Sequence, residues 1–237
     1  MTKETILVNG CSAGLGLDLI KRLKNKYIVY GLSSKPSNKK NIFFYNPLVN
    51  PTMNYYLLGN LKNLKIDHII HCSGGGLGYK DKLLNLNKLI ELFNINFFSI
   101  YEINKAIIKL KTKKKPLNII MIGSIAAFES KASLGYSSAK STLINYNKLL
   151  AKNFFKEKIT SKLIIPGSFI STKGSMSRLK KSKIKIFNKL EAQIPLGKMQ
   201  NSSDIINCID FLLDKKSILI NGSYISLSNL ESKSIFL

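Results

Sequence analysis

Short runs of β-branched and aliphatic residues alternate along this chain with longer segments of helical period, and this alternation narrows the available folds more than any other feature. Strands separated by helices pair in parallel, with the helices covering both faces of one sheet. Thr5 to Val8, Tyr27 to Leu32, Ile42 to Tyr45, Asp67 to Cys72, Leu117 to Gly123, Ser161 to Ile165 and Leu219 to Leu227 read as seven strands. Between them, Gly14 to Asn25 places Leu15, Leu19, Ile20 and Leu23 on one helical face, and Asn50 followed by Pro51 predicts a capped helix start. Asn87 to Leu110 reads as one long helix, Ser137 to Phe155 as another, and Ser203 to Leu213 as a third with Ser202 or Ser203 as its cap. No Gly/Pro-rich linker or internal repeat divides these units. Residues 1–237 are therefore expected to form a single α/β domain, a doubly wound parallel sheet of Rossmann type with helices on both faces.

An apolar fraction of 45% over 237 residues supports a sizeable core and excludes disorder and fibrous repeats. The longest apolar runs, such as Ile119 to Ile122 and Ile218 to Ile220, fall far short of the ~18 residues of a membrane span. Met1 to Gly10 lacks a charged region followed by an apolar stretch, so no signal peptide is expected. Cys11, Cys72 and Cys208, odd in number and without paired spacing, fit a reducing compartment, and a cytoplasmic location is expected. The 37 basic residues against 13 acidic, a net charge of +24, raise nucleic acid as a partner. Yet 35 of them are Lys, and only Arg22 and Arg178 offer the planar fork that grips phosphates. Lys109 to Lys115 carries no interleaved aromatic platform for bases, so the charge reads mainly as composition spread over solvated faces.

Ser168 to Leu196 breaks the alternation. It follows the sixth strand, carries seven basic and no acidic residues between Lys173 and Lys189, and has a weak helical period through Met176, Leu179, Ile184 and Phe187. Ligands of open α/β sheets lie beyond the carboxyl ends of the strands, so an insertion here is a candidate lid.

The first strand runs into Asn9-Gly10-Cys11-Ser12-Ala13-Gly14-Leu15-Gly16, where a helix begins. Glycines at this spacing permit a tight turn, admit a pyrophosphate to backbone N–H groups and seat the helix on the strand. The second strand ends in Ser33-Ser34-Lys35 with no acidic residue, which suits a 2′-phosphate better than free ribose hydroxyls, so NADP(H) is expected over NAD(H). Tyr136 and Lys140 stand four apart on one helix face, where an ammonium stabilises a phenolate, and Ser124 lies twelve residues upstream of the Tyr at a strand end.

With these motifs the chain resembles the short-chain dehydrogenase/reductase family over nearly its whole length. The family's Thr-Gly-x3-Gly-x-Gly is met by Asn9 to Gly16, its catalytic Ser by Ser124 in Ile122-Gly123-Ser124-Ile125, and its Tyr-x3-Lys by Tyr136 and Lys140. Its helical Asn is met by Asn96, its Pro-Gly step by Pro166-Gly167, and its following Ile and Thr by Phe169 and Ser171 or Thr172. Ile194-Pro195-Leu196-Gly197 is typical of the family too, and the pattern is nearest its 3-oxoacyl-carrier-protein reductases. Three places depart from it. Asn-Asn-Ala-Gly is here His71-Cys72-Ser73-Gly74, the Asp that meets adenine is Asn46, and the terminal Asp-Gly-Gly is Ser228-Asn229-Leu230.

The resemblance implies a catalytic set of Ser124, Tyr136, Lys140 and Asn96. It also implies a cofactor site of Gly10, Ser12, Leu15, Gly16, Ser33, Ser34, Lys35, Asn46, Ser73, Gly74, Pro166, Gly167, Phe169 and Ser171, beside Tyr136 and Lys140. Tyr136 would donate the proton, Lys140 lower its pKa and bind ribose, Ser124 orient the carbonyl, and Asn96 hold a water. The expected substrate is a carbonyl, small or carrier-bound and anionic, such as a 3-oxoacyl carrier or a keto sugar, because Lys173, Arg178, Lys180, Lys181 and Lys183 lie in the proposed lid. A homodimer or homotetramer is implied, through Phe93, Phe97, Ile100, Leu143 and Tyr146. His71 beside Cys72, with only His68 nearby, reads as structural, and no metal is expected. The alternative is a non-enzymatic dinucleotide-sensing or nucleic-acid-binding module on the same fold.

Overall fold

The computed structural model describes residues 3–53, 55–79, 81–112, 115–129 and 132–237. Lys113 and Lys114, within the basic stretch noted above, lie outside the described residues.

The chain begins with β1 (Thr5–Asn9), α1 (Gly14–Leu23), β2 (Ile28–Ser33), β3 (Ile42–Phe44), α2 (Tyr55–Lys62) and β4 (His68–His71). It continues through α3 (Leu86–Phe93), a π-helical turn (Asn94–Phe98), α4 (Ser99–Leu110), β5 (Leu117–Ile122), α5 (Leu134–Asn153) and β6 (Ile159–Pro166). The last part holds β7 (Phe169–Ile170), α6 (Ser175–Ser182), α7 (Ile184–Glu191), β8 (Gln200–Asn201), α8 (Ser202–Leu213) and β9 (Tyr224–Leu227). Seven strands form one sheet in the order β3-β2-β1-β4-β5-β6-β9, and every neighbouring pair is parallel.

Alternation along each strand builds a core on each face. Ile119 and Met121 of β5 join Ile69, Leu163 and Ile165 beneath Ile100, Ile103 and Ile107 of α4 and Leu143 and Leu150 of α5. Ile120 and Ile122, one residue out of phase, join Ile6, Val8, Ile70 and Ile164 beneath Leu15, Leu19 and Leu23 of α1 and Ile205, Ile206, Ile209 and Leu212 of α8. Because both faces are covered, central strands such as Ile119–Ile122 are continuously apolar. The strand order reverses between β1 and β4, which opens a crevice at the carboxyl edge where the loops after β1, β4, β5 and β6 converge.

Four expected elements differ. The helix expected at Asn50-Pro51 begins at Tyr55, because Asn50 Oδ1 accepts the Thr52 N–H at 2.8 Å and the Pro51 carbonyl accepts the Tyr45 hydroxyl at 2.5 Å, holding a turn instead. The long helix expected over Asn87–Leu110 is broken by the π-turn around Asn96. Asn201, rather than Ser202 or Ser203, caps α8 through a capping box with Asp204. The expected last strand Leu219–Leu227 is confined to Tyr224–Leu227, since Lys215–Ile220 winds into a 3₁₀ helix and Gly222 turns the chain at φ 75°.

The segment 168–196 folds as β7, α6 and α7, with Phe187, Ile194 and Met199 as its own small core. Ile184, expected on its inner face, is 48% exposed, because the chain breaks between α6 and α7 at Lys183 (φ −146°, ψ 61°) and restarts the helical phase. β7 pairs with β8, which anchors the segment's entrance beside α8.

Candidate active site

The glycine turn after β1 takes up the close contacts that its composition allows. Gly10 has φ 86°, and a Cβ there would lie 2.5 Å from Ser73 N, so only glycine lets β1 and the loop after β4 run this close. A Cβ on Gly16 would lie 2.2 Å from the Gly10 carbonyl oxygen, so the first turn of α1 sits directly on the loop. No acidic residue occupies that first turn, and the N–H groups of Leu15 and Gly16 precede the first intrahelical bond. The Gly14 N–H donates to Thr172 O at 2.7 Å, while the Thr172 N–H donates to Asp18 Oδ2 at 2.9 Å. Asp18 Oδ2 also accepts the Ser202 hydroxyl at 2.7 Å, and these bonds hold its carboxyl below the usual range against the opposing effect of burial. The entrance to segment 168–196 is thus tied to the glycine turn, with Ser171 buried beside Gly14. Asp18 is absent from the sequence-level site because its partners lie more than 150 residues away.

At the ends of β2 and β3, Ser33 is buried and its hydroxyl donates to the Lys35 carbonyl at 2.6 Å while accepting the Lys35 N–H at 3.0 Å. Ser33 therefore shapes the loop, and Ser34 and Lys35 are its exposed members. Asn46 is half-buried at the end of β3, its Oδ1 accepting the Leu48 N–H at 3.2 Å.

The four residues singled out for chemistry meet at the carboxyl edge. Tyr136 and Lys140 lie on α5, and Tyr136 neighbours Ser124, which opens the 3₁₀ turn Ile125–Ala127 after β5. Lys140 is buried, and its Nζ donates to the Ile122 carbonyl at 2.9 Å, two residues before Ser124. Gly74 closes the group: a Cβ there would lie 2.6 Å from Asn96 Oδ1 and 2.9 Å from Lys140 Nζ. Asn96 uses its amide to staple the loop after β4, donating to Gly75 O at 3.0 Å and Leu92 O at 2.8 Å and accepting the Gly75 N–H at 3.0 Å. Its π-turn, in which the Ser99 N–H reaches back to Asn94 O, sets it apart from a regular helix, as such turns often do at functional sites.

Burial pulls the Lys140 ammonium down to about 8, with Cys72 opposing. Burial also raises the Tyr136 phenol, against the lowering influence of the neighbouring Ser124. The expected depression of Tyr136 by Lys140 is absent here, because the ammonium is directed at Ile122 O and desolvation dominates at the phenol.

The altered His71-Cys72-Ser73 motif forms a buried polar chain. Asn9 Nδ2 lies 2.8 Å from Ser73 Oγ and 3.3 Å from His71 Nδ1, His71 Nε2 lies 2.9 Å from Asn104 Oδ1, and Asn104 Nδ2 donates to the Tyr146 hydroxyl at 3.2 Å. These partners suit a neutral imidazole carrying its proton on Nε2, and burial pulls His71 down to about 4. Asn9 opens the glycine motif, but its link to His71 has no sequence signal, and Asn104, a lone Asn in a helix, has none either. Burial pushes the neighbouring Cys72 thiol up to about 12. No group of three or more His, Cys, Asp or Glu capable of holding a metal occurs among the described residues.

The model of a protein family described as "Enoyl-(Acyl carrier protein) reductase" matches residues 62–228. The chain is 28% identical to a 3-oxoacyl-(acyl-carrier-protein) reductase FabG of Buchnera aphidicola subsp. Acyrthosiphon pisum, over 94% of both proteins. It is 29% identical to a 7alpha-hydroxysteroid dehydrogenase of Paraclostridium sordellii, over 93% of this chain and 82% of that protein. Among solved structures, a short chain dehydrogenase family protein from Francisella tularensis superposes with a TM-score of 0.83 at 20% identity, covering 96% of this chain and 98% of that one.

Proposed function

Since the chain belongs to the short-chain dehydrogenase/reductase family of NAD(P)-dependent oxidoreductases, we propose that it is an NADPH-dependent reductase of a carbonyl on an anionic substrate. The observation that carries this reading is the convergence of Ser124, Tyr136, Lys140 and Asn96 beside Gly74 at the carboxyl edge of the sheet.

The residues present fit a dinucleotide. Gly10, Gly16 and Gly74 let the loops after β1 and β4 pack closely on α1, Asn96 and Lys140, and the first turn of α1 offers N–H groups without a competing acid. Ser12, Leu15, Gly16, Ser73 and Gly74 would hold the pyrophosphate and the nicotinamide half, together with Pro166, Gly167, Phe169 and Ser171 after β6. Ser34 and Lys35, with no carboxylate at the end of β2, favour a 2′-phosphate, and Asn46 would lie against adenine. When bound, a nicotinamide cofactor supplies the hydride.

The side chains supply the rest. Ser124 and Tyr136, which neighbour each other, would present two hydroxyls to one carbonyl oxygen, where negative charge grows as the carbon is reduced. Tyr136 gives up the phenolic proton to that oxygen; burial holds the phenol protonated, and the negative charge growing on the substrate oxygen draws the proton across. Lys140, whose pKa is near 8, is largely protonated at neutral pH and places a positive charge behind the site. Asn96 fixes the Gly74-Gly75 loop against Lys140.

The basic segment 168–196 is proposed as a lid over the substrate. Its exposed Lys173, Arg178, Lys180, Lys181 and Lys183 favour a 3-oxoacyl group on an acidic carrier or a charged keto sugar. Exposed Phe98 of the π-turn, Tyr101 of α4 and Leu149 of α5 support a homodimer or homotetramer, whereas Ile100 and Leu143, expected at that contact, are buried in the core. A cytoplasmic site of action accords with three free cysteines, and no helix among the described residues is long and apolar enough to cross a membrane. The family description keeps a second reading, reduction of an enoyl thioester conjugated to the carbonyl.

A substrate panel followed by NADPH absorbance tests both. The proposal expects turnover of 3-oxoacyl or keto-sugar substrates, at least about tenfold preference for NADPH over NADH, and turnover of a carrier-bound substrate that falls steeply with salt. Turnover of enoyl thioesters alone would replace it with the second reading, and no turnover of any carbonyl would reject it.

A further inference from the structure

The C-terminal departure from the family pattern has a purpose in the geometry. Asn229 and Leu230 hold φ of 55° and 59°, two successive residues with side chains in the left-handed region, and the Glu231 N–H closes the turn on Ser228 O at 2.9 Å. Asn tolerates this conformation, whereas Leu does so only when its surroundings impose it. The turn delivers Glu231 to the end of β6. Its Oε2 accepts the Ser168 N–H at 2.5 Å and its Oε1 accepts the Ser168 hydroxyl at 2.9 Å. Gly167 leaves the room, since a Cβ there would lie 2.7 Å from Glu231 Oε2 and 2.6 Å from Ser228 O. The tail is then held again, Ser232 Oγ and the Lys233 N–H donating to Glu129 Oε1 at 2.5 and 2.8 Å, in the loop that follows Ser124. In a chain with 37 cations and 13 carboxylates, Glu231 engages two neutral donors of one residue.

We propose that Glu231 is a positioning residue for the carbonyl reaction, a clamp on Ser168 that fixes the hinge of the basic segment 168–196. Through Glu129 the same tail is tied to the loop bearing Ser124, so the hinge and the hydroxyl that orients the carbonyl are set by one strap. The inference rests on the reading of that segment as a substrate lid. Glu231→Gln places an amide donor against one of the two Ser168 donors and breaks the paired grip, with little change in volume.

The test combines limited trypsin digestion, which reads opening of the lysine-rich segment directly, with steady-state kinetics on the whole protein. In Glu231→Gln, cleavage within 173–189 should quicken by roughly tenfold and KM for the anionic carbonyl rise by a similar factor, with kcat changed by less than about threefold. Ser168→Ala should shift both in the same direction and add nothing to Glu231→Gln in the double variant. Leu230→Gly, which relieves the backbone and keeps the carboxylate, should leave both at the wild-type value. Unchanged cleavage and KM in a folded Glu231→Gln, or additive effects with Ser168→Ala, would overturn the proposal. Should Glu231→Gln not fold, Ser168→Ala alone decides, unchanged values again overturning it. A wild type without carbonyl turnover would reject the functional reading, while digestion would still judge the clamp.

Discussion

At the scale of single residues, the site combines two kinds of grouping, Tyr136 and Lys140 one helical turn apart on α5, and a buried polar chain whose members come from four elements. Tyr136 and Lys140 could be paired because four residues on a helix is one turn. The Asn9–His71–Asn104–Tyr146 chain could not, since its members come from β1, β4, α4 and α5. Its physical consequence is a dependence of stability on acid. His71 titrates near 6.5 when unfolded and is held down to about 4 when folded, so the unfolded chain binds the proton first. The stability this represents is complete above pH 6.5, is lost as pH falls toward 4, and is about 3 kcal/mol for a shift of this size. Urea unfolding at several pH values should show His71→Asn less stable at pH 7 but with a flatter decline between pH 6.5 and 4. His68, also held down by burial, and Asp18 are present in both proteins and cancel in the difference. Parallel declines in the two proteins would contradict the assignment of His71 as a neutral buried link.

At the scale of elements, the strands were readable because a doubly covered sheet leaves unbroken apolar runs, and α1 because its apolar stripe has helical period. The π-turn at Asn96 was not, since it depends on a staple to Gly75 from another loop. The last strand was overextended because Ile218 to Ile220 is as apolar as a strand, yet Ser217 caps the preceding turn through Leu212 O and Asp214 O and draws it into a 3₁₀ helix. The Asn201–Asp204 box was visible as Asn-x-x-Asp, one residue ahead of the serines favoured as caps. Two glycines separate close approach from mere flexibility. Gly59→Ala, on an exposed turn of α2 with nothing within 4 Å of the new methyl, should raise stability by about 0.5–1 kcal/mol. Gly10→Ala, with φ 86° and Ser73 N at 2.5 Å, should lower it by roughly 1–3 kcal/mol and weaken NADPH binding at least about tenfold. Thermal unfolding with and without NADPH checks both, and a Gly10→Ala protein that still gains full stabilisation from NADPH would remove the glycine turn from the cofactor site.

At the scale of the whole molecule, a net charge of +24 says little by itself, and its placement says more. Many lysines sit on solvated helix faces, but Lys140 and Lys162 are buried, and seven basic residues gather on α6, α7 and their flanks above the carboxyl edge. The acidic minority is placed at joints: Asp18 ties the segment to α1, Glu231 ties its start to the tail, and Glu129 ties the tail to the loop after β5. Such ties escape any reading of local pattern, because their partners lie 60 or more residues apart in the chain. At this edge Tyr136 is the proposed proton donor in the reduction of a carbonyl. Turnover and NADPH affinity of Tyr136→Phe, measured beside the wild type on the best carbonyl substrate, test it most directly. Tyr136→Phe should lose about 10²–10⁴ in kcat while the NADPH dissociation constant stays within a few fold. A Tyr136→Phe protein that keeps a substantial fraction of wild-type turnover would contradict it.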